Sequence, residues 1–490
     1  MAGIRCGTVN RDYDEVRVRA ARIASGLAAH GVTADSRVAI YLHNDIAFVE
    51  ASIAAGILGA VPVPVNWHWH GAELAYLLED SDSSVIFVHS DLVPVVEAVS
   101  GERVLVEVAR DGVPATGRHP LFEDWLAGFE PWSEPPTQTP QSMIYTSGTT
   151  GRPKGIVRDR STPEQSQASV ALVFTTFGLH PDMRTLVPAP MYHTAPNVHC
   201  LVAAATGTDL TIMPSFDPEE LLRLIEVNRI EHFQAVPTMF VRLLQLPDEV
   251  RARYDVSSLK AVVHAAAPCP VEVKRRIIEW FGPVVREYYG GSETGGCVAC
   301  DSEQWLAHPG TVGAAIQDAS IRIYSVFGDQ LPVGESGLVY LRPPSTWPNF
   351  TYHGDPEKRA AIERDGHLHI GDIGYLDHDG FLYLNDRSTD MIISGGVNIY
   401  PAEIEACLLE LDGVRDVAVF GVPDEVFGEA IAAHVEADGI TEDDVRAHVR
   451  ANLAGYKVPK LVVFDDHLPR EDTGKLFKRR IREQYWPTPA

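Results

Sequence analysis

The stretch Tyr145 to Gly155, read as YTSGTTGRPKG, constrains this chain more than any other. The apolar run Met143-Ile144-Tyr145 reads as the end of a strand, and it passes into a loop of Thr146, Ser147, Gly148, Thr149, Thr150 and Gly151. Glycines let a backbone turn so that successive N–H groups converge on an anion. The Ser and Thr hydroxyls add short neutral donors, and Lys154 brings one point charge. The segment therefore predicts a phosphate cradle. It differs from the GxxxxGK[ST] loop, because Pro153 precedes the lysine and Gly155 follows it.

A polyphosphate site is unusual company for the overall charge, which is −26 from 67 acidic against 41 basic residues. That balance argues against nucleic acid and anionic membranes as main partners. An anionic ligand must then be met by local basic groups. At 490 residues the chain exceeds what one hydrophobic core serves, so two or more domains are expected. There is no signal peptide pattern and no run of about eighteen apolar residues, so no membrane span is expected and the cytoplasm is the expected compartment. Cysteines stand scattered at 6, 200, 269, 297, 300 and 407. A lone Cys297-x-x-Cys300 without a second pair is expected to be small apolar packing rather than a metal or redox site.

Helix and strand patterns alternate along the first two thirds of the chain. Residues 12–31 have helical spacing, Val38 to Leu42 reads as a buried strand, Ala47 to Leu58 as a helix, and Ser84 to His89 as a strand. Val61-Pro62-Val63-Pro64-Val65 cannot be a central strand, since each proline lacks a donor. Residues 111–140 carry six prolines and read as a loop-rich connection. Leu210 to Met213, Ala261 to Val263 and Val284-Val285 read as further strands. Asp217 reads as a helix N-cap, with Pro218 at the first position and Glu220 able to reach back. The rhythm predicts α/β architecture with a mainly parallel sheet. From Gly371 the texture changes to short strands and turns, then to a compact segment with a helix start at Thr441 and Asp444. Trp67-His68-Trp69-His70 is expected at a surface or interface, because two histidines without acidic or thiol neighbours make a poor metal site.

Four more segments follow the first in order. They are YYGGSET at 288–294, GDIGY at 371–375 with Asn385-Asp386-Arg387 behind it, DMIISGGVNIYPAEIE at 390–405, and LPREDTGK at 468–475. Together with the Tyr145 segment they resemble the motifs of the adenylate-forming superfamily, in the branch of acyl-CoA synthetases and fatty-acid or aryl-acid CoA ligases. The resemblance runs from about residue 12 to 480. It implies a large N-terminal α/β domain, 1–386, of mainly parallel sheets flanked by helices plus a distorted β-barrel subdomain. A hinge at 387–391 and a small mobile α+β C-terminal domain, 392–490, would follow.

The resemblance also implies roles. Thr146, Ser147, Gly148, Thr149, Thr150 and Lys154 would hold the phosphates of ATP, with Ser292 as a further donor. Tyr289 would stack on adenine, beside Ala266, Ala267, Pro268, Tyr288 and Gly290. Asp372 would hold the ribose hydroxyls, Arg387 would sit near ribose and phosphate, and Glu293 would be the Mg²⁺ ligand. Lys475 would bridge the substrate carboxylate and the α-phosphate, completing a catalytic set with Glu293, Thr146 and His193. Gly395, Gly396, Tyr456 and Lys457 would meet CoA. His193, Thr194 and Ala195, with Gly290 and Gly291, would line the acyl pocket. Small lining residues and no aspartate for an α-amine imply a bulky hydrophobic acid: fatty, aromatic, steroid-like or terpenoid-like. The implied activity is ATP-dependent formation of acyl-AMP and transfer of the acyl group to CoA. The alternatives are transfer of acyl-AMP to a separate carrier protein or ligase, and a non-catalytic nucleotide- or CoA-binding paralogue; a homodimer is left open. Two departures from the family pattern stand out: Thr389, where Lys or Asp is common, and the acidic pair Glu471-Asp472 near Lys475.

Overall fold

The computed structural model describes residues 2–137, 140–146, 153–387, 390–394, 397–424, 426–470, 476 and 478–486, with the backbone alone for Asp386, Arg387, Asn398 and Arg479. One large sheet dominates. Its parallel part runs through Gly3–Cys6, Asp209–Ile212, Arg184–Val187, His232–Ala235, Ala261–His264 and Val285–Gly291, in that spatial order. From Val285–Gly291 the sheet continues antiparallel through Gly295–Cys300, Gly313–Ala315, Phe381–Arg387, His367–Leu376, Gly337–Arg342 and Ser320–Tyr324. The pivot of the fold is thus the strand that carries Tyr288 and Tyr289.

A second sheet is wholly parallel, in the order Val61–Pro64, Arg37–Tyr41, Ser83–His89, Val104–Val108. The proline-rich strand lies at its edge, as its missing donors require. Val61 N–H and Val65 N–H donate inward to Ser36 and Ile40, and on the open side the Pro62 carbonyl accepts from Met143 N–H. That last bond leads into a three-stranded antiparallel sheet of Ile144–Thr146, Lys154–Arg158 and Phe350–Tyr352. The strand pair Gly3–Cys6 and Val9–Asp12 precedes the first helix, Tyr13–Ala29. It is not readable as sequence because its partner, Asp209–Ile212, lies about two hundred residues away.

Helix boundaries follow their caps. Asp217 accepts from Glu220 N–H at 2.8 Å, but the Glu220 carboxylate turns outward to Arg223, so only half of the expected box forms. Thr441 and Asp444 form both halves. The span 111–140 is not wholly loop: Phe122–Ala127 is a short helix that buries Phe122, Trp125 and Leu126. The Trp125 ring packs where a Cβ on Gly26 would come within 2.5 Å, so the contact depends on that glycine. Cys297 and Cys300 are buried packing residues, and burial pushes both thiols up to about 12.

Residues 392–464 form a further sheet, Val397–Ile399, Ile392–Ser394, Gly428–Ala437 and Val414–Asp424, with Leu461–Phe464 parallel to Gly428–Ala437. The helices Pro401–Leu409 and Glu442–Asn452 close a core of its own that includes Ile404, Leu408, Val419, Val435 and Val449. Among the described residues no helix is long and apolar enough to cross a membrane.

Candidate active site

The strands Ile144–Thr146 and Lys154–Arg158, on either side of the segment expected to hold phosphates, pair antiparallel. Thr146 and Lys154 are register partners in that pair, and the described chain resumes as a strand rather than a helix. Lys154 Nζ lies 3.0 Å from Asp355 Oδ2, and that hydrogen bond raises the ammonium above its ordinary value. A Cβ on Gly155 would stand 2.2 Å from Met143 Cε, so the close approach of the two strands requires glycine there. Ser147, Gly148, Thr149 and Thr150 lie outside the described residues.

On the strand Val285–Gly291, successive tyrosines face opposite sides, as strand geometry dictates. Tyr288 OH accepts from Gln234 Nε2 at 3.0 Å, and its ring lies 4.6 Å from that of Phe177. Tyr289 OH donates to Asp372 Oδ2 at 2.7 Å. Two motifs far apart in sequence are thereby joined by one hydrogen bond. Asp372 is register partner of Arg387, whose side chain is not described. Ala266 takes a left-handed φ of 78°, which turns the Ala265–Pro268 segment beside Tyr289. Gly290 cannot carry a side chain, since a Cβ would fall 1.7 Å from the Gly295 carbonyl oxygen.

The turn after this strand is held from beneath. Arg158 donates to the carbonyls of Ser292, Glu293 and Pro348, and its guanidinium lies over the Trp347 ring at 5.1 Å. Burial lowers the Arg158 pKa to about 10. With the backbone pinned, Ser292 Oγ meets Thr194 Oγ1 at 2.5 Å, and Glu293 Oε1 accepts from Tyr352 OH at 3.0 Å. The partner of Oε1 fixes the carboxylate beside Gly291 and leaves Oε2 as a hard oxygen donor, the kind Mg²⁺ takes.

His193 occupies the N-cap of the helix Thr194–Thr206, with its ring 4.3 Å from that of Tyr192. A cavity of about 1040 Å³ brings together Thr146, His193, Thr194, Ala195, Gly290 and Glu293, and extends between apolar side chains such as Val170, Val173 and Val202. A second cavity, about 1840 Å³, lies between residues 69–390 and residues 400–486. Ala266, Ala267, Pro268, Tyr289 and Asp372 line one side of it, and Arg470 and Leu476 the other.

A family model described as AMP-binding enzyme matches residues 5–349, and one described as AMP-binding enzyme C-terminal domain matches residues 403–475. The chain belongs to the AMP-binding enzymes. Within the adenylate-forming superfamily it falls in the acyl-CoA synthetase branch, as an AMP-forming acid–thiol ligase. A feruloyl-CoA synthase of an Amycolatopsis species is 36% identical over 98% of this chain and 95% of its own. A long-chain-fatty-acid–CoA ligase of Mycobacterium tuberculosis is 33% identical over 98% and 94%. Among solved structures, ATP-bound MatB from Rhodopseudomonas palustris superposes with a TM-score of 0.85 at 28% identity, covering 99% of this chain and 95% of that one.

Tyr456 and Lys457, expected to meet CoA in this AMP-binding enzyme, line neither cavity, although Glu403, the partner of Lys457, lines the second. Lys457 Nζ lies 2.5 and 2.6 Å from the two oxygens of Glu403, and Tyr456 beside it is 57% exposed. Gly395, Gly396 and Lys475 lie outside the described residues, though Leu476, next to Lys475, lines the second cavity. The Trp67–His70 cluster is only half at the surface. Its histidines are exposed, but Trp67 packs edge-on against Tyr192 at 4.7 Å, because both tryptophans cover apolar core. Sequence reading passed over Arg158 and Tyr352, which act only through folding. It also passed over Gln234, although a glutamine within a central strand is a signal that could have been used.

Proposed function

We propose that the enzyme activates a bulky, largely apolar carboxylic acid as its acyl-AMP and then transfers the acyl group to CoA. The acid would be of fatty, aromatic, steroid-like or terpenoid-like class. The observation that carries this reading is the first cavity, which opens on Thr146, Ser292 and Glu293 and continues between apolar side chains. In the first step a carboxylate oxygen attacks the α-phosphorus of ATP, the α–β bridging bond breaks, and pyrophosphate leaves. In the second step the CoA sulfur attacks the acyl carbon, AMP leaves, and the thiol proton goes to solvent. Tyr289 and Asp372 would orient adenine and ribose, the segment Thr146 to Thr150 and Lys154 the phosphates, and Lys475 the reacting oxygens. Mg²⁺, held through Glu293, would neutralise charge on the phosphates. Residues 1–386 and 392–490 would move about a hinge at 387–391 between the steps.

Relatives support the breadth of the acid class. Besides the feruloyl and long-chain enzymes, a relative from Rhodococcus jostii, a ligase for a methyl-dioxo-octahydroindenyl propanoyl group, is 31% identical over 99% of this chain and 96% of its own. A second reading, transfer of acyl-AMP to an acceptor other than CoA such as a separate carrier protein, draws support from the Lys457–Glu403 pair. That pair neutralises a lysine otherwise available to CoA phosphates.

The test is exchange of labelled pyrophosphate into ATP. Exchange that depends on an added acid supports the reading, and its absence with every acid overturns it. For the metal, Glu293→Gln is expected to shift the Mg²⁺ titration of this exchange to concentrations roughly ten-fold higher, from the loss of one charged ligand. An unchanged titration would remove Glu293 as the metal ligand.

A further inference from the structure

Lining the first cavity is a cation that lies outside every motif. It is Lys358, on the short helix Pro356–Ala361 that follows the strand Phe350–Tyr352. Neighbouring cations are already engaged. Lys154 Nζ is held at 3.0 Å by Asp355 Oδ2, and Lys154 lines neither cavity. Arg158 donates to the carbonyls of Ser292, Glu293 and Pro348. Arg359, next in the chain, reaches Glu363 Oε2 at 2.6 Å and the Phe350 carbonyl at 3.0 Å. Arg17, which also lines the cavity, pairs with Asp14 on its own helix.

Lys358 is partly buried, and its ammonium has no carboxylate partner among the described residues. The acid closest to it in the fold is Asp355, whose two oxygens are taken: Oδ1 accepts from the Lys358 backbone N–H at 3.0 Å, and Oδ2 meets Lys154. Lys358 Nζ stands instead 5.2 Å from the centre of the Tyr352 ring. A ring face attracts a cation but uses none of its N–H donors. The hydroxyl of the same ring donates to Glu293 Oε1 at 3.0 Å. One side chain therefore meets the ammonium with its face and Glu293 with its tip. Tyr352 is itself fixed: it is 5% exposed, is register partner of Ile156 and packs edge-on against Phe350 at 5.4 Å. Tyr352, Lys358 and Glu293 line the first cavity and not the second, whereas Tyr289 and Asp372, on the nucleoside side, line the second.

We propose that Lys358 binds the outer phosphates of ATP, the pair that leaves as pyrophosphate, with Tyr352 as the positioning residue that holds the ammonium beside Glu293. The inference rests on the functional reading above, in which Thr146, Ser292 and Glu293 meet the phosphates. A chain of net charge −26 needs local cations wherever it takes up a polyphosphate. Mg²⁺ offsets part of that charge, and an ammonium on the same side, a compact point charge, offsets more. Breaking the α–β bridging bond moves negative charge onto the departing pyrophosphate. A cation placed there stabilises the breaking bond more than the intact one.

The experiment is calorimetric titration of the full chain with ATP, pyrophosphate and AMP, with Mg²⁺ present throughout. Lys358→Met is expected to weaken ATP and pyrophosphate by roughly ten-fold or more, from the loss of one charge-assisted contact. AMP has no outer phosphates, so its affinity should not change. Lys358→Arg keeps the charge and should recover most of the loss. In exchange of labelled pyrophosphate into ATP, the KM for pyrophosphate should rise in the methionine variant. Unchanged affinity for ATP and pyrophosphate overturns the proposal. So does an equal loss on AMP, which marks a structural role, or an effect confined to the KM of the acid, which places the ammonium on the acyl side. A wild-type enzyme that binds ATP but shows no exchange with any acid overturns the functional reading instead, and the titrations then decide Lys358 on their own.

Discussion

Replacing Lys475 by alanine is expected to lower adenylate formation by roughly 10²–10³-fold while sparing the thioester step from premade acyl-AMP. Adenylation brings a carboxylate up to a polyphosphate, two anions that repel as they approach. An ammonium between them has more to stabilise at the moment of attack than before it, so its loss falls on the rate of that step. Once acyl-AMP exists, the incoming group is a thiol, and no such anionic approach remains. Arg470 and Leu476 bridge as β-partners at the base of the segment that ends in Lys475, and Arg470 is anchored on Asp416 at 2.5 and 2.6 Å. Both residues line the cavity that also holds Tyr289 and Asp372. The measurement is pyrophosphate release for the first step and single-turnover CoA thioester formation for the second. Equal loss of both would contradict the role given to Lys475.

The second large effect is on stability. Lys274 Nζ lies 2.5 Å from Glu287 Oε2 and 4.9 Å from the centre of the Trp305 ring, with both ionic groups buried. Burial raises the Glu287 carboxyl, and Lys274 opposes that rise. Removing one partner strands the other charge in the core, so Lys274→Met should cost about 3–5 kcal/mol. Removing both, in Lys274→Met with Glu287→Leu, should recover most of that loss, since two charges and their desolvation disappear together. Urea unfolding of wild type, single and double variants measures this. A single variant within about 1 kcal/mol of wild type, or a double variant no more stable than the single, would contradict it. Because Glu287 directly precedes Tyr288 and Tyr289, the single variant should also loosen the strand that carries them.

What was legible in the sequence was local or ordered along it. The proline-valine strand had to be an edge because prolines lack donors, and it is one. The cap at Thr441 needed only residues three apart. The five motifs announced the family by their order. What escaped was long-range. Gly3–Cys6 becomes a strand only against Asp209–Ile212. Arg158 matters because folding brings it beneath Ser292 and Glu293, and Tyr352 because folding brings it to the Glu293 carboxylate. The Glu220 half of the helix box lost to Arg223, a nearer charged partner on the same helix. Lys358 was also missed. A motif reading placed the phosphate cation at Lys154, while Lys358 lies on a short helix outside every motif.

The most direct test of the account is mass spectrometry of the purified protein incubated with Mg·ATP and a pooled panel of carboxylic acids, with and without CoA. The account predicts one or more acyl-AMP species without CoA, replaced by the matching acyl-CoA when CoA is present. Acyl-AMP that persists unchanged in the presence of CoA would contradict the thioester step and favour another acceptor. No adenylate from any acid would contradict the account as a whole.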